Sequence, residues 1–144
     1  METAARILGI KLHVLQASSE PELDTVFATA TQLQAAGLVI GPDTFFNSRI
    51  EQLAALTLRH ALPAVYQWRE FTAAGGLLSY GSSVTNVYRQ SGIYTGRILK
   101  GEKPADLPVI RAAKFEFVIN LQIARILGLD VPATLLGTAD EVIE

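Results

Sequence analysis

The sequence predicts an α/β protein with three layers, αβα, in which helices cover both faces of a mostly parallel sheet. Two observations carry this prediction. Short, wholly apolar runs of strand length recur along the chain, as in strands that are buried on both faces. Between them lie longer segments whose apolar residues repeat at helical spacing. Because strand and helix patterns alternate, we expect successive β-α-β units in one domain over residues 1–144.

The N-terminal segment has a helix pattern followed by a strand pattern. Residues 3–8 look like the end of a helix that Gly9 closes. Leu12, Val14 and Leu15 then predict a strand. A sheet of this class normally begins with a strand, so we expect that the first strand is missing. Either the chain is a piece of a larger protein, or another copy supplies the edge.

The clearest helix pattern in the sequence covers residues 19–36. Ser19 and Glu22 have the spacing of a capping box, and Gly37 closes the segment. The apolar run at 38–41 follows directly and predicts a parallel strand.

The middle of the chain repeats this alternation twice. A helix face recurs over residues 50–58 and ends at a Leu-Pro pair. Residues 64–66 and 77–80 then predict two further short strands.

The C-terminal third begins with a long helix pattern over residues 84–99, which Gly101 ends. Alternation over residues 115–119 predicts a strand, and Asn120 is suited to cap a short helix over residues 121–127.

Composition excludes several classes of function. The 144 residues carry a formal charge of −2 and no cysteine. Without a basic surface we expect no nucleic-acid partner. No apolar run approaches the ~20 residues that span a bilayer, and the charged N-terminal segment lacks a signal-peptide core.

Motifs for catalysis are absent from the sequence. GxSxG, GxxxxGK[ST] and GxGxxG do not occur, and the spacing of His13 and His60 suggests neither a metal site nor a catalytic base. We therefore expect no catalytic residue, no metal, no cofactor and no enzyme activity.

Polar and aromatic side chains follow three of the predicted strands. In an open α/β sheet, ligands bind outside the carboxyl ends of the strands. The candidate ligand-binding residues at these ends are Asp43, Thr44, Tyr66, Trp68, Arg69, Tyr80 and Ser82. Together they offer an apolar wall, a guanidinium group and a carboxylate, which suits a small amphipathic ligand such as an amino acid.

Each of these residues also has a purely structural interpretation. Asp43 would then only close a turn, and Tyr66 and Trp68 would be core residues. Arg69 would be half of a solvated ion pair, and Ser82 and Ser83 would be ordinary helix caps. The functional interpretation depends on their convergence at one edge of the sheet.

Longer segments of the sequence resemble a known family. ALPAVYQWREFTAAGGLLSYGSS, GRILKGEKPADLPV and INLQIARILGL are similar to the C-terminal lobe of ABC transporter substrate-binding proteins of the periplasmic-binding-protein type I fold, including tryptophan/tyrosine-binding members. The resemblance implies a flavodoxin-like half of that two-lobed fold. Residues 84–106 would then pack on the absent N-terminal lobe.

The resemblance also implies a function. The chain would be part of the solute-binding component of an ABC importer, with a membrane permease as partner and the periplasm as its location. Since no signal peptide is visible, a cytoplasmic location is also open. An isolated lobe would leave the apolar stripe of its long helix uncovered, so we expect a homodimer through that face.

Two alternatives to the importer hypothesis remain open. One is the effector-sensing lobe of a transcriptional regulator that shares the fold. The other is a small flavodoxin-like enzyme, which would need a catalytic group that the sequence does not reveal.

Overall fold

Five strands form one sheet in the computed structural model, which describes residues 1–110 and 115–144. The strands are β1 (Leu38–Val39), β2 (Ala64–Tyr66), β3 (Leu78–Ser82), β4 (Phe115–Asn120) and β5 (Glu141–Ile143), and they lie side by side in chain order. Neighbouring strands run parallel except β3 and β4, which are antiparallel. The predicted α/β class with a mostly parallel sheet flanked by helices is confirmed.

The helices connect and flank these strands. They are α1 (Glu2–Ile7), α2 (Glu20–Gln32), α3 (Thr44–Asn47), α4 (Ile50–Arg59), α5 (Arg69–Ala73), α6 (Val84–Leu99), α7 (Leu121–Ile126) and α8 (Ala133–Leu136), with a 3-10 turn at Pro104–Asp106. The bounds predicted for α6 are confirmed. The short helices α3, α5 and α8 and the last strand, β5, had no prediction, because elements of three to five residues show no periodicity.

The strand predicted at Leu12–Leu15 is wrong. Residues 10–17 have no assigned secondary structure, and among the described residues no strand pairs with them. Leu15 nevertheless packs against the core, whereas Leu12 and Val14 are exposed. The alternating apolar residues at these positions therefore form neither a sheet ladder nor a buried face, and only Leu15 contributes to the core.

The core lies between α2, α4, α5 and one face of the sheet. Its buried apolar residues are Leu23, Phe27, Ala30, Leu53, Leu56, Leu62, Ala64, Tyr66 and Phe71. Alternation brings Ala64 and Tyr66 of β2 to the same face, where the ring of Tyr66 stacks on Phe71 of α5 at 4.8 Å between centroids. This packing fixes the end of β2 beneath α5.

The long helix α6 stands apart from this core. None of its residues is buried, and Val87, Tyr88, Ile98 and Leu99 are exposed. Ser83 caps its start by accepting a hydrogen bond from the Asn86 backbone N–H, and Gly101, at φ 100°, ends it. Within the described residues, no helix has the length and apolar character needed to cross a membrane.

Candidate functional site

The turn after β1 places the first candidate residues. Asp43 caps α3, because its Oδ1 accepts a hydrogen bond from the Phe45 backbone N–H at 2.7 Å. Thr44 is the first residue of this helix, and both side chains are exposed. The capping bond holds the Asp43 carboxylate at the carboxyl end of the sheet.

A cleft of about 580 Å³ opens beside Asp43. Its lining residues are Leu15, Gln16, Ala17, Ser18, Glu22, Asp43 and Phe46. One wall thus comes from the extended segment before α2 and from α2 itself, and the other from the turn that begins α3. The lining combines an aromatic ring and two aliphatic side chains with two carboxylates.

The electrostatics of this cleft favour a positive group. Ser18 donates to the Glu22 carboxylate from its backbone N–H at 2.6 Å and from its hydroxyl at 3.0 Å. These hydrogen bonds lower the pKa of Glu22, so it stays ionised at neutral pH. Among residues 1–110 and 115–144, no Lys, Arg or His lines the cleft. A ligand in it therefore meets two acidic groups.

Six of the seven lining residues were not among the candidates, namely Leu15, Gln16, Ala17, Ser18, Glu22 and Phe46. The signal was present, because Gln16 to Ser18 follow the apolar segment at residues 12–15 just as Asp43 follows β1. Glu22 was instead expected to form a capping box with Ser19. The structure shows no side-chain cap at Ser19, and Glu22 accepts from Ser18.

Tyr66 lies in the core, not in the cleft. It is 1% exposed, and its hydroxyl is 2.9 Å from the Thr57 hydroxyl. Burial raises the pKa of Tyr66 to about 12, although the hydrogen bond with Thr57 opposes that rise. In this conformation the side chain has no free surface for a ligand.

Trp68 and Arg69 lie where β2 gives way to α5. Trp68 is half-buried and packs against the core, so the wall that it presents is only partly exposed. Arg69 donates both Nε and Nη2 to the carboxylate of Glu141 at the start of β5. Neither residue lines the cleft beside Asp43.

Gln67, at the end of β2, contacts both the helix that follows β1 and the strand β3. Its side-chain Nε2 donates to Asn47 Oδ1 of α3 at 2.9 Å. Its carbonyl oxygen passes so close to Gly81 of β3 that a Cβ there would lie 2.0 Å from it. Gln67 therefore fixes the end of β2 against both neighbours, which sequence reasoning did not identify.

Tyr80 and Ser82 lie on the antiparallel pair β3–β4. The exposed ring of Tyr80 stacks on Phe115 at 5.6 Å and meets the edge of Phe117 at 6.2 Å. Ser82 pairs with Phe115 across the ladder and is half-buried. Of the seven candidates, the cleft contains Asp43, with Thr44 beside it; the other five lie apart from it.

The described residues contain no group of three or more His, Asp or Glu side chains arranged to hold a metal ion.

Comparison with protein families gives one match. The model of the family described as ABC transporter substrate binding protein matches residues 1–143. No curated protein matches the chain.

Solved structures share the fold. A conserved domain protein from Vibrio cholerae has a TM-score of 0.87 at 23% identity, over 98% of this chain and 47% of that one. An ABC domain from Streptococcus pneumoniae, solved in complex with L-Trp, has a TM-score of 0.86 at 24% identity, over 98% and 49%. The substrate-binding protein CD0873 from Clostridium difficile has a TM-score of 0.67 at 18% identity, over 99% and 47%. The chain spans about half the length of these structures.

Proposed function

Since the chain belongs to the ABC transporter substrate binding protein family, we propose that it forms one wall of a solute-binding cleft in an ABC importer. The single observation that carries this proposal is the cleft beside Asp43, which joins two carboxyl side chains to an aromatic ring. The role is to bind and present a solute, with no chemical step.

The cleft favours a ligand with a positive group at one end and an apolar body. Asp43 and Glu22 would face the positive group, and Phe46 with Leu15 would contact the apolar part. An amino acid with a large side chain has such an ammonium group and an apolar body, and its own carboxylate would face the second lobe, away from Asp43 and Glu22. The complex of an ABC domain of the same fold with L-Trp supports this choice of ligand class.

The remaining candidates would complete the ligand site from its edges. Thr44 stands next to Asp43, whereas Trp68 flanks the core beneath the carboxyl end of β2. Tyr80 and Ser82 mark the place where the chain leaves the sheet for α6. We propose that these four contact the ligand when a second lobe closes over the cleft.

A second lobe would cover the open side of the cleft, both sides of which this chain supplies. The matched structures carry about as many residues again as this chain. We propose that the exposed stripe of α6 packs on that lobe, and that in an isolated chain it pairs with a second copy. A membrane permease and a periplasmic location follow from the importer hypothesis.

The test uses L-tryptophan as the ligand and saturation-transfer NMR, which detects weak binding. Because one wall buries only part of a ligand, we expect a dissociation constant of about 1 mM. Indole-3-propionate, which lacks the ammonium group, should bind about tenfold more weakly. Asp43→Asn should reduce this preference, with Glu22 retaining the rest, and should not disturb α3, because Asn caps a helix as well as Asp does.

Two results would contradict the proposal. The first is equal binding of the two compounds to the unmodified chain. The second is sub-micromolar affinity of this chain for an amino acid in isothermal titration, because a single wall would then suffice.

A further inference from the structure

Arg69 and Glu141 form a two-pronged ion pair between elements that are far apart in sequence. Arg69 Nε lies 2.6 Å from Glu141 Oε2, and Nη2 lies 2.5 Å from Oε1. Arg69 is the first residue of α5, and Glu141 is the first residue of β5. The pair therefore ties the start of α5 to the far edge strand of the sheet.

The surroundings of Arg69 do not favour an anionic ligand. The hydrogen bonds that Arg69 donates to Glu141 are the largest cause that raises the pKa of Arg69, and the charges of Glu141, Glu70 and Glu116 add to it. In return, the hydrogen bonds from Arg69 lower the pKa of Glu141. With three carboxylates around one guanidinium, a ligand carboxylate would approach a locally negative surface.

Trp68 directly precedes this ion pair. Its carbonyl oxygen accepts a hydrogen bond from the Phe71 backbone N–H at 3.1 Å, and its half-buried side chain packs against the core. The start of α5 is thus held from two directions, with Trp68 against the core and Arg69 against β5.

We propose that Arg69 is a positioning residue, which holds Trp68 in its orientation through Glu141 and does not contact the solute. The consequence for solute binding rests on the proposed function. The positioning itself does not, because it is a property of the chain without any ligand.

The test uses fluorescence, because Trp68 is the only tryptophan in the sequence. Arg69→Gln and Glu141→Gln should each raise the acrylamide quenching constant of Trp68 about twofold and shift its emission to longer wavelength, because the start of α5 opens locally. Arg97→Gln is the matched control. It breaks the two-pronged pair of Arg97 with Glu102, which has similar exposure but lies at the end of α6, and it should leave Trp68 emission unchanged.

A second variant separates a positioning role from a loss of folding. The exchanged pair Arg69→Glu/Glu141→Arg should restore most of the quenching protection, with far-UV circular dichroism equal to that of the unmodified chain. An unchanged quenching constant in both single variants would overturn the proposal. A change in Arg69→Gln without one in Glu141→Gln would also overturn it, since Arg69 would then act without its partner.

A second experiment tests whether Arg69 contacts the solute. Binding of L-tryptophan to each variant is measured by NMR titration. If Arg69 only positions Trp68, Glu141→Gln should weaken binding by the same factor as Arg69→Gln. If Arg69 instead anchors the ligand carboxylate, Glu141→Gln would leave binding unchanged or tighten it, and the proposal fails. Absence of binding to the unmodified chain would count against the proposed function, while the quenching results would still decide the positioning role.

Discussion

The two faces of the sheet differ sharply in how well this chain covers them. On one face, the row Tyr66–Ser79–Val118 crosses three strands, and each of these side chains is 1% exposed beneath the helices. On the other face, Val39 is 61% exposed, Tyr80 59% and Phe115 54%, although Ile119 between them is buried. The chain completes one core and leaves much of the second face uncovered.

This difference shows which part of the fold this chain determines by itself. The covered face has an interlocking set of contacts, in which Tyr66 meets Phe71 by stacking and Thr57 by a hydrogen bond. The other face presents rings that contact mainly each other, such as Tyr80 and Phe115. Substitutions on the two faces should therefore differ in their cost.

The largest difference is expected for two phenylalanines. Phe71→Ala, at a position that is 1% exposed, should lower the free energy of unfolding by about 3–5 kcal/mol. Phe115→Ala removes an exposed ring and its stacking on Tyr80, so it should cost about 1 kcal/mol. Urea unfolding of both variants measures this comparison, and equal costs would contradict the distinction between the faces.

Alkaline pH should lower the free energy of unfolding, because Tyr66 on the covered face would have to lose its phenol proton. Its pKa in the folded chain is about 12, against an ordinary value of 10, so the folded state holds the phenol proton more tightly than the unfolded state. The resulting stability is fully present below pH 10 and is lost as the pH rises toward 12, by roughly 2–3 kcal/mol.

Tyr66→Phe is the control for this alkaline loss. It removes the titrating group, so its unfolding free energy should fall less between pH 9 and pH 12 than that of the unmodified chain. Parallel pH profiles of the two proteins would show that Tyr66 is not the source.

Gly81 should not tolerate a side chain. A Cβ at this position would lie 2.0 Å from the Gln67 carbonyl oxygen, so Gly81→Ala must push β3 from the end of β2, at a cost of about 2 kcal/mol. Gly92, within α6, has nothing within 4 Å of an added Cβ. Gly92→Ala should stabilise the chain by about 0.5–1 kcal/mol. Thermal unfolding tests both expectations, because the melting temperature should fall in Gly81→Ala and rise in Gly92→Ala.

The smallest effect on stability is expected at α6, where the readout is association. Tyr88 is 73% exposed, so Tyr88→Lys should change the free energy of unfolding by no more than about 0.5 kcal/mol. Light scattering over a range of concentrations should show association of the unmodified chain and less of it in the variant. A monomer at every concentration would contradict pairing through α6.

Sequence reasoning succeeded where a segment is long or its end has a chemical signal. Helix α6 follows a clear apolar stripe, Ser83 caps it, and Gly101 ends it with a positive φ. Asn120 likewise caps α7, where its Oδ1 accepts from the Ile123 backbone N–H. These are local features, which the residues themselves determine.

The candidate site was harder to predict, because it depends on contacts between distant residues. Arg69 could be recognised as a residue at a strand end, but nothing near it in sequence indicates that Glu141 is its partner. The same holds for Tyr66, whose place in the core depends on Thr57 and Phe71. Gln16 to Ser18 follow a segment that pairs with no described strand, and nothing near them in sequence indicates that the fold brings them beside Asp43.

The one antiparallel pairing in the sheet has a consequence for how the chain can be cut. Ser82 at the end of β3 lies directly opposite Phe115 at the start of β4, so the chain leaves and re-enters the sheet at adjacent points. Such neighbours are about 4.5–5.5 Å apart between Cα atoms, a gap that a two-residue hairpin turn closes. We expect that Asn-Gly in place of the sequence between Ser82 and Phe115 would keep the order of the strands. A chain shortened in this way would keep the buried face of the sheet without α6, so the stability of that face could be measured by itself.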